Sequence, residues 1–361
     1  MTTEANKTGA FDPIRKTFIK VGVLPFFLVG ALIIFTALSD KFLSVQNLVN
    51  VARQSVYLVL VSMGQMLVLI SGGFDLSVGT SIALTSVVSA LGMVWLAGIF
   101  PDAIWLAITL GAFMGFAAAI SVGLINGVGV AYFDVSPFIM TLGVSSVGAG
   151  LALFLTGGVP VSGLPFAFGD TFGFGRLFGV PIPVIIAAIC IIVMWLFMSR
   201  TRLGTQVYAV GGNIKAAHLS AINTKRTLMM AYVICALIAS LTGLLLTARV
   251  ESGEANLGST IALESIAACV IAGVSLRGGI GRVENVVLGA FFIVLVQNGM
   301  NLAQVSSYMQ MVLLGALLIL AVIFDQLRYR MILSGNIRPH LGFSHERRTI
   351  SNTQGSQVPT D

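Results

Sequence analysis

Long apolar runs, separated by glycines, prolines and short polar clusters, set the pattern of this chain. A run of about 18 residues or more can cross a bilayer as a helix. Val21–Leu38 is the first, an uncharged stretch behind a polar leader that carries Lys7, Arg15, Lys16 and Lys20. A secretory signal core spans only about 7–15 residues, so a retained helix is favoured, although Ala37, Leu38 and Ser39 faintly resemble a cleavage site. A mildly amphipathic lead-in over 42–53 precedes a second span from about 54 to 70. Further spans are expected at 76–97, 103–125, 137–156, 181–199, 229–248, 262–276, 285–302 and 309–324, which makes ten. Residues 157–180, rich in Gly, Pro and Phe, read as an ordered external loop. The polar tail from 328 to 361 is expected to be disordered.

The chain also repeats itself. The stretch Ser71–Val87 returns as Ser252–Ile266, two residues shorter, and from Gly79 onward the copies align without a gap at an offset of 179 residues. Leu110–Phe113 returns as Leu288–Phe291, and Asn126 with Gly127 returns as Asn298 with Gly299. The inverted repeats are placed at about 71–156 and 252–324. Ten spans put five in each half, and an odd number turns the second half over in the membrane, a recurring transporter architecture. The segment opened by Asp75 then comes in from one side and its partner, opened by Asn256, from the other.

Composition agrees with the runs. Hydrophobic residues make up 57% of 361 positions and charged residues 9%, against about a quarter charged in soluble domains. The formal charge of +6 suggests a nucleic-acid partner only until its distribution is read. With the N-terminus cytoplasmic, 16 of the 20 basic residues fall on the cytoplasmic side, which satisfies the positive-inside rule and puts both termini inside. A multi-pass membrane protein is expected, with no nucleic-acid role. Cys190, Cys235 and Cys269 lie in apolar runs and read as small buried hydrophobes.

Catalytic chemistry has no foothold. No Gly-Lys pair exists to build a phosphate-cradling loop, and Gly-x-Ser-x-Gly, Cys-x-x-Cys and His-Glu-x-x-His are absent. His218, His340 and His345 fall in polar segments. The chain is expected to be no enzyme and to carry no cofactor or metal of its own. Ionisable residues within spans are almost lacking, since Arg53, Asp75, Arg249 and Glu264 sit at or near span ends. An ion-coupled secondary carrier, which usually relies on a buried carboxylate relay, is therefore the alternative and not the first choice; a passive channel stands behind it.

Candidate site residues fall into three groups. Gly73, Asp75, Ser77, Gly79, Asn256 and Glu264 mark helix openings or gates. Asp75 reads first as a helix N-cap, with a substrate contact or gate at a discontinuous helix as the sharper alternative. Asn126, Thr141, Gln297, Asn298 and Asn301 offer amides and a hydroxyl that suit sugar hydroxyls, and suit helix–helix hydrogen bonding equally well. Gly111, Gly115, Ala119, Gly123 and Gly127 form a small-residue stripe for close helix packing. In the long loop 200–228, Asn213 can cap a short helix over 214–222, either a solvated element or a docking element for a soluble motor.

Four stretches carry a family resemblance: SGGFDLSVG at 71–79, LGTQVYAVGGN at 203–213 with Ala216, Ala217 and Leu219–Ile222 following, AGVSLRGGIGR at 272–282, and QNGMNL at 297–302. In order and spacing, over about residues 40–327, they resemble the permease subunits of monosaccharide ABC importers, the ribose, xylose, arabinose, galactose and autoinducer-type systems. The resemblance implies an all-α fold like that of the ten-helix cobalamin-importer permeases. It implies a second permease chain, two cytoplasmic ATPase subunits that hold ATP and Mg²⁺, an external sugar-binding protein and a sugar substrate. By the same resemblance Asn213, Ala216, Ala217, His218, Leu219 and Ile222 belong to the coupling helix that meets the ATPase. The sequence departs from the family's usual residues at Phe74, where Ile is common, at Ala221, where Gly is common, and after Arg282, where Val283, Glu284 and Asn285 replace a Gly-Thr turn.

Overall fold

In the computed structural model, which describes residues 24–333, the chain is a bundle of α-helices with one small hairpin. The helices are α1 (Leu24–Leu38), α2 (Val45–Ile70), α3 (Val78–Ile99), α4 (Ile104–Tyr132), α5 (Pro137–Thr156) and α6 (Ile182–Arg200). They continue as α7 (Arg202–Gly212), α8 (Ile214–Leu219), α9 (Thr224–Val250), α10 (Ile261–Ile271), α11 (Val283–Leu302) and α12 (Ser307–Leu333). Short helical turns at Phe166–Phe168 and Gly169–Phe174, then a hairpin pairing Arg176–Leu177 with Val180–Pro181, fill the segment between α5 and α6. Among the described residues seven helices, α2 to α6, α9 and α11, are long and apolar enough to cross a membrane; α1, α10 and the first part of α12 are shorter apolar helices. The chain is an all-α membrane protein. Its polar leader 1–20 and everything past Leu333 lie outside the described residues.

Several boundaries differ from those expected. The lead-in over 42–53 does not stand apart: α2 starts at Val45, where the Ser44 hydroxyl accepts from the Asn47 N–H and so satisfies an orphan donor of the first turn. α12 runs on through Arg328 and Arg330 to Leu333, past the point where the tail was expected to begin. The 200–228 loop is mostly helical, with α7 and α8 in it.

α2 is the axis of the molecule. Leu60, Met63, Met66, Leu67, Leu69 and Ile70 are fully buried, packed among α9, α10, α11 and α6. α4 holds α3 and α9 together through its small-residue stripe. A spacing of four residues advances about 40° beyond a full turn at each step, so a stripe of five positions winds round the helix. Gly111 and Gly115 accordingly face Met93, Ser89 and Thr85 of α3, whereas Gly123 and Gly127 face Ala236 and Met229 of α9.

α10 is the anomaly. Its 11 residues rise about 16 Å, roughly half of a 30 Å hydrocarbon core. Ahead of it lies non-helical backbone over 251–260. At its far end this segment is pinned by paired backbone hydrogen bonds between Val161 and Gly253, both 2.8 Å. The Glu254 N–H donates to the Ser86 hydroxyl at 3.1 Å, and the segment then follows α3 down to Ile82 and Gly79.

Candidate functional site

The non-helical segment ahead of α10 and the turn between α2 and α3 meet each other. The two approach from opposite ends of the bundle, one from Ile70 at the end that carries Arg200, Lys225 and Arg282, the other from Glu251 beside Gly169. Their meeting point is Gly79 against Gly258.

On the Gly79 side the candidate residues form one sealed node. Asp75 is buried, and its Oδ1 accepts from the Ser77 N–H at 2.8 Å and from the Ser77 hydroxyl at 2.6 Å. Asp75 is thus not itself the N-cap of α3. Ser77 holds that position and makes no side-chain capping bond, because its hydroxyl is turned towards Asp75. The Asn126 amide on α4 donates to the same Ser77 oxygen at 2.6 Å. Thr141 on α5 accepts from the Leu76 N–H at 3.1 Å and donates to the Pro137 carbonyl at 2.8 Å. Gly73 lets the turn close, since a Cβ there would stand 2.6 Å from the Tyr232 hydroxyl, which bonds to the Phe74 carbonyl. Asp75, Ser77, Asn126 and Thr141 are all buried, so in this conformation they hold helices together and meet no solvent.

The Gly258 side is open. Asn256, Ser259 and Thr260 are exposed, and Glu264 lies within hydrogen-bonding reach of Thr260 and of Gln297 on α11. Polar groups at membrane depth face protein or water, not lipid. These exposed hydroxyls and amides, with the Glu264 carboxylate one turn below them, form the open polar surface of the candidate site. Ser259 and Thr260 were not among the residues singled out from the sequence. The repeat placed them at a helix start, and nothing in the sequence says which side of a broken helix stays uncovered.

The remaining amides are engaged between helices. Asn298 and Asn47 exchange two bonds, Asn47 Nδ2 to Asn298 Oδ1 at 2.8 Å and Asn298 Nδ2 to Asn47 Oδ1 at 3.0 Å, tying α11 to the start of α2. Asn301 Oδ1 accepts from Gln310 Nε2 at 2.8 Å across the α11–α12 turn. Gln65, fully buried in the C-terminal part of α2, has both amide atoms unpaired; its position in an apolar run gave no sign of this. A cavity of about 300 Å³ between α4, α6 and α9 is lined by Trp105, Phe113, Phe116, Phe168 and Phe172. Its one lining hydroxyl, on Thr109, donates to the Trp105 carbonyl. Such a wall offers nothing to a hydroxylated solute.

At the basic end, the Thr201 hydroxyl caps α7 and the Asn213 carboxamide caps α8, accepting from the Ala216 N–H at 2.9 Å. α8 is shorter than expected: it ends at Leu219, not Ile222. Ala221 takes a left-handed conformation at φ 59°, and the Ile222 N–H turns back to the Ala217 carbonyl at 3.1 Å, which closes a Schellman motif. Ile214, Lys215, Ala216, His218 and Leu219 are exposed, Ile222 is half-buried, and Ala217 faces inward. Beneath α8, the Tyr208 hydroxyl donates to the Gly281 carbonyl at 2.8 Å. Burial raises the Tyr208 pKa above the ordinary phenol range, Glu284 adding to the shift and Arg282 opposing it, so the donor keeps its proton. No group of side chains that could hold a metal ion occurs among the described residues.

Residues 47–322 match a family described as the permease component of branched-chain amino acid transport systems. The chain is 37% identical over 295 residues to the ribose import permease protein of Bacillus subtilis, an overlap of 81% of this chain and 89% of that one. It is 36% identical over 304 residues to the D-allose transport system permease protein of Escherichia coli, covering 84% and 90%. It is 34% identical over 333 residues to the galactose/methyl galactoside import permease protein of Haemophilus influenzae, covering 90% and 97%. No solved structure matches the chain.

Proposed function

We propose that this chain, which belongs to the family of permease components described for branched-chain amino acid transport, is the membrane subunit of an ATP-driven ABC importer that carries a sugar or related polyol across a bacterial inner membrane. The family description names amino acids, whereas relatives that overlap most of both chains are named for ribose, allose and galactose. The observation that carries the sugar reading is the exposed trio Asn256, Ser259 and Thr260, which presents amide and hydroxyl groups at the start of α10. A zwitterionic amino acid would call for opposed fixed charges, and this stretch has none.

A polar face that lipid cannot cover calls for a second permease chain opposite it, with the solute path between the two. In this reading α1, α10 and α12 complete ten crossings in two inverted sets of five, as in permeases of the cobalamin-importer type, and both termini are cytoplasmic. ATP and Mg²⁺ belong to cytoplasmic ATPase subunits that dock on α8, where Ile214 and Leu219 offer exposed apolar side chains. An external sugar-binding protein loads the path from the side of residues 157–180.

The test is uptake into proteoliposomes that hold the purified chain with or without its ATPase, supplied with the external sugar-binding protein and radiolabelled ribose, allose, galactose or leucine. Uptake of one of the sugars that needs the ATPase and ATP is expected. Equal uptake from the chain alone under a proton or sodium gradient would overturn the importer reading, and ATP-driven uptake of leucine only would overturn the sugar.

A further inference from the structure

Three pieces of backbone converge under α8 more closely than side chains allow. The end of α2 brings Ile70, the end of α7 brings Gly211, and the loop after α10 brings Gly278 and Gly279. The Gly279 N–H donates to the Ile70 carbonyl at 2.8 Å, filling an acceptor that the C-terminus of α2 leaves open. A Cβ on Gly211 would run into that same carbonyl and stand 2.8 Å from the Gly279 nitrogen. A Cβ on Gly278 would meet the Gly211 carbonyl at 2.6 Å, and both Gly278 and Gly279 take positive φ, 87° and 73°, which glycine alone adopts freely. Tyr208, one turn earlier on α7, bonds to Gly281 in the same loop.

What each strand leads to gives the junction its meaning. Two residues past Gly211, Asn213 opens α8. Five residues past Ile70 lies Asp75, and then α3 with Gly79. The loop of Gly278 and Gly279 follows directly on α10 and its exposed Thr260 segment. One contact therefore joins α8 to both halves of the repeat, through the turn ahead of α3 in the first and the loop behind α10 in the second.

We infer that Gly211 is a positioning residue for energy coupling: its bare backbone gears α8 to Ile70 and to the Gly278–Gly279 turn, so that displacement of α8 moves the turn ahead of α3 and the loop behind α10 together. Main-chain contact without intervening side chains leaves no soft rotamers to absorb the stroke. The inference rests on the docking role of α8 proposed above.

The test measures solute moved per ATP hydrolysed in proteoliposomes of the full chain with its ATPase. Gly211→Ala is expected to leave the ATPase bound and hydrolysing, while the ratio falls by at least about threefold, within the range over which coupled networks respond to mutation. Gly212→Ala, whose Cβ would meet nothing within 4 Å, is expected to keep the ratio. Tyr208→Phe, which loses one hydrogen bond and no volume, is expected to lower the ratio in the same direction by less; it decides the matter if Gly211→Ala fails to assemble. A wild-type ratio in Gly211→Ala, or in Tyr208→Phe where only that variant assembles, overturns the inference. ATP-independent uptake by the wild type would instead strike the importer reading itself.

Discussion

Gly79 and Gly258 occupy the same place in the two copies of the repeated segment, and a Cβ on Gly79 would stand 2.5 Å from the Gly258 carbonyl oxygen. In a pair of elements related by a two-fold axis, a residue touches its own counterpart only beside the axis. The contact therefore marks where a pseudo-two-fold between the halves would pass, three residues before α10 begins at Ile261.

Because the obstacle at Gly79 is main chain, the site has little room to yield. Gly79→Ala is expected to cost about 1–3 kcal/mol, the usual price of overpacking. A thermal unfolding midpoint equal to that of the wild type in detergent would show that the two turns are free to separate.

Asp75 is held by the Ser77 N–H and hydroxyl, both on the same carboxylate oxygen. Asp75→Asn keeps an acceptor oxygen there, so it is expected to fold with a nearly unchanged midpoint and to sustain uptake. Asp75→Ala removes the acceptor and strands the buried Ser77 donors, for a loss of about 1–2 kcal/mol. Normal folding of Asp75→Asn with abolished uptake would assign the charge to gating instead.

Inside α8 the neighbours Ala217 and Leu219 separate docking from folding, since Ala217 is buried and Leu219 is 86% exposed. Leu219→Asp is expected to leave the chain folded and to reduce co-purification of the ATPase by about tenfold or more, as truncation of an interface anchor does. Ala217→Arg is expected to lower the unfolding midpoint, because it drives a cation into the packing beneath the helix. Undiminished ATPase recovery with Leu219→Asp would remove α8 from the docking surface.

At the C-terminus of the same helix Ala221 bears a left-handed strain that glycine does not feel. Ala221→Gly is expected to stabilise the chain by about 1 kcal/mol, read as a higher unfolding midpoint. A lower midpoint would mean that the Ala221 methyl contributes more by its contacts than it costs in conformation. The departure from the family's usual glycine, visible in the sequence, acquires its physical meaning only from this φ.

Much of the bundle was legible from Val45 to Leu302, because hydrocarbon forces the backbone of an apolar run into a helix whatever its neighbours do. The repeat was legible for a similar reason: its glycines and small polar residues recur at fixed offsets in Ser71–Val87 and Ser252–Ile266. Capping was legible at Asn213, where a local carboxamide reaches an N–H three residues on.

Tertiary packing decided the rest. Apolar length does not reveal how short α10 is, since residues 251–260, which include Glu251 and Glu254, form turns anchored by Val161 and Ser86 from elsewhere in the chain. Nor does it tell the sealed amide of Asn126 from the open hydroxyl of Thr260, or show that Ile70, Gly211 and Gly279 share one contact. Helix formation is a local consequence of solvent and so can be read residue by residue. Which polar group is covered, and which backbones touch, depends on partners distant in the chain, and only the assembled bundle brings them together.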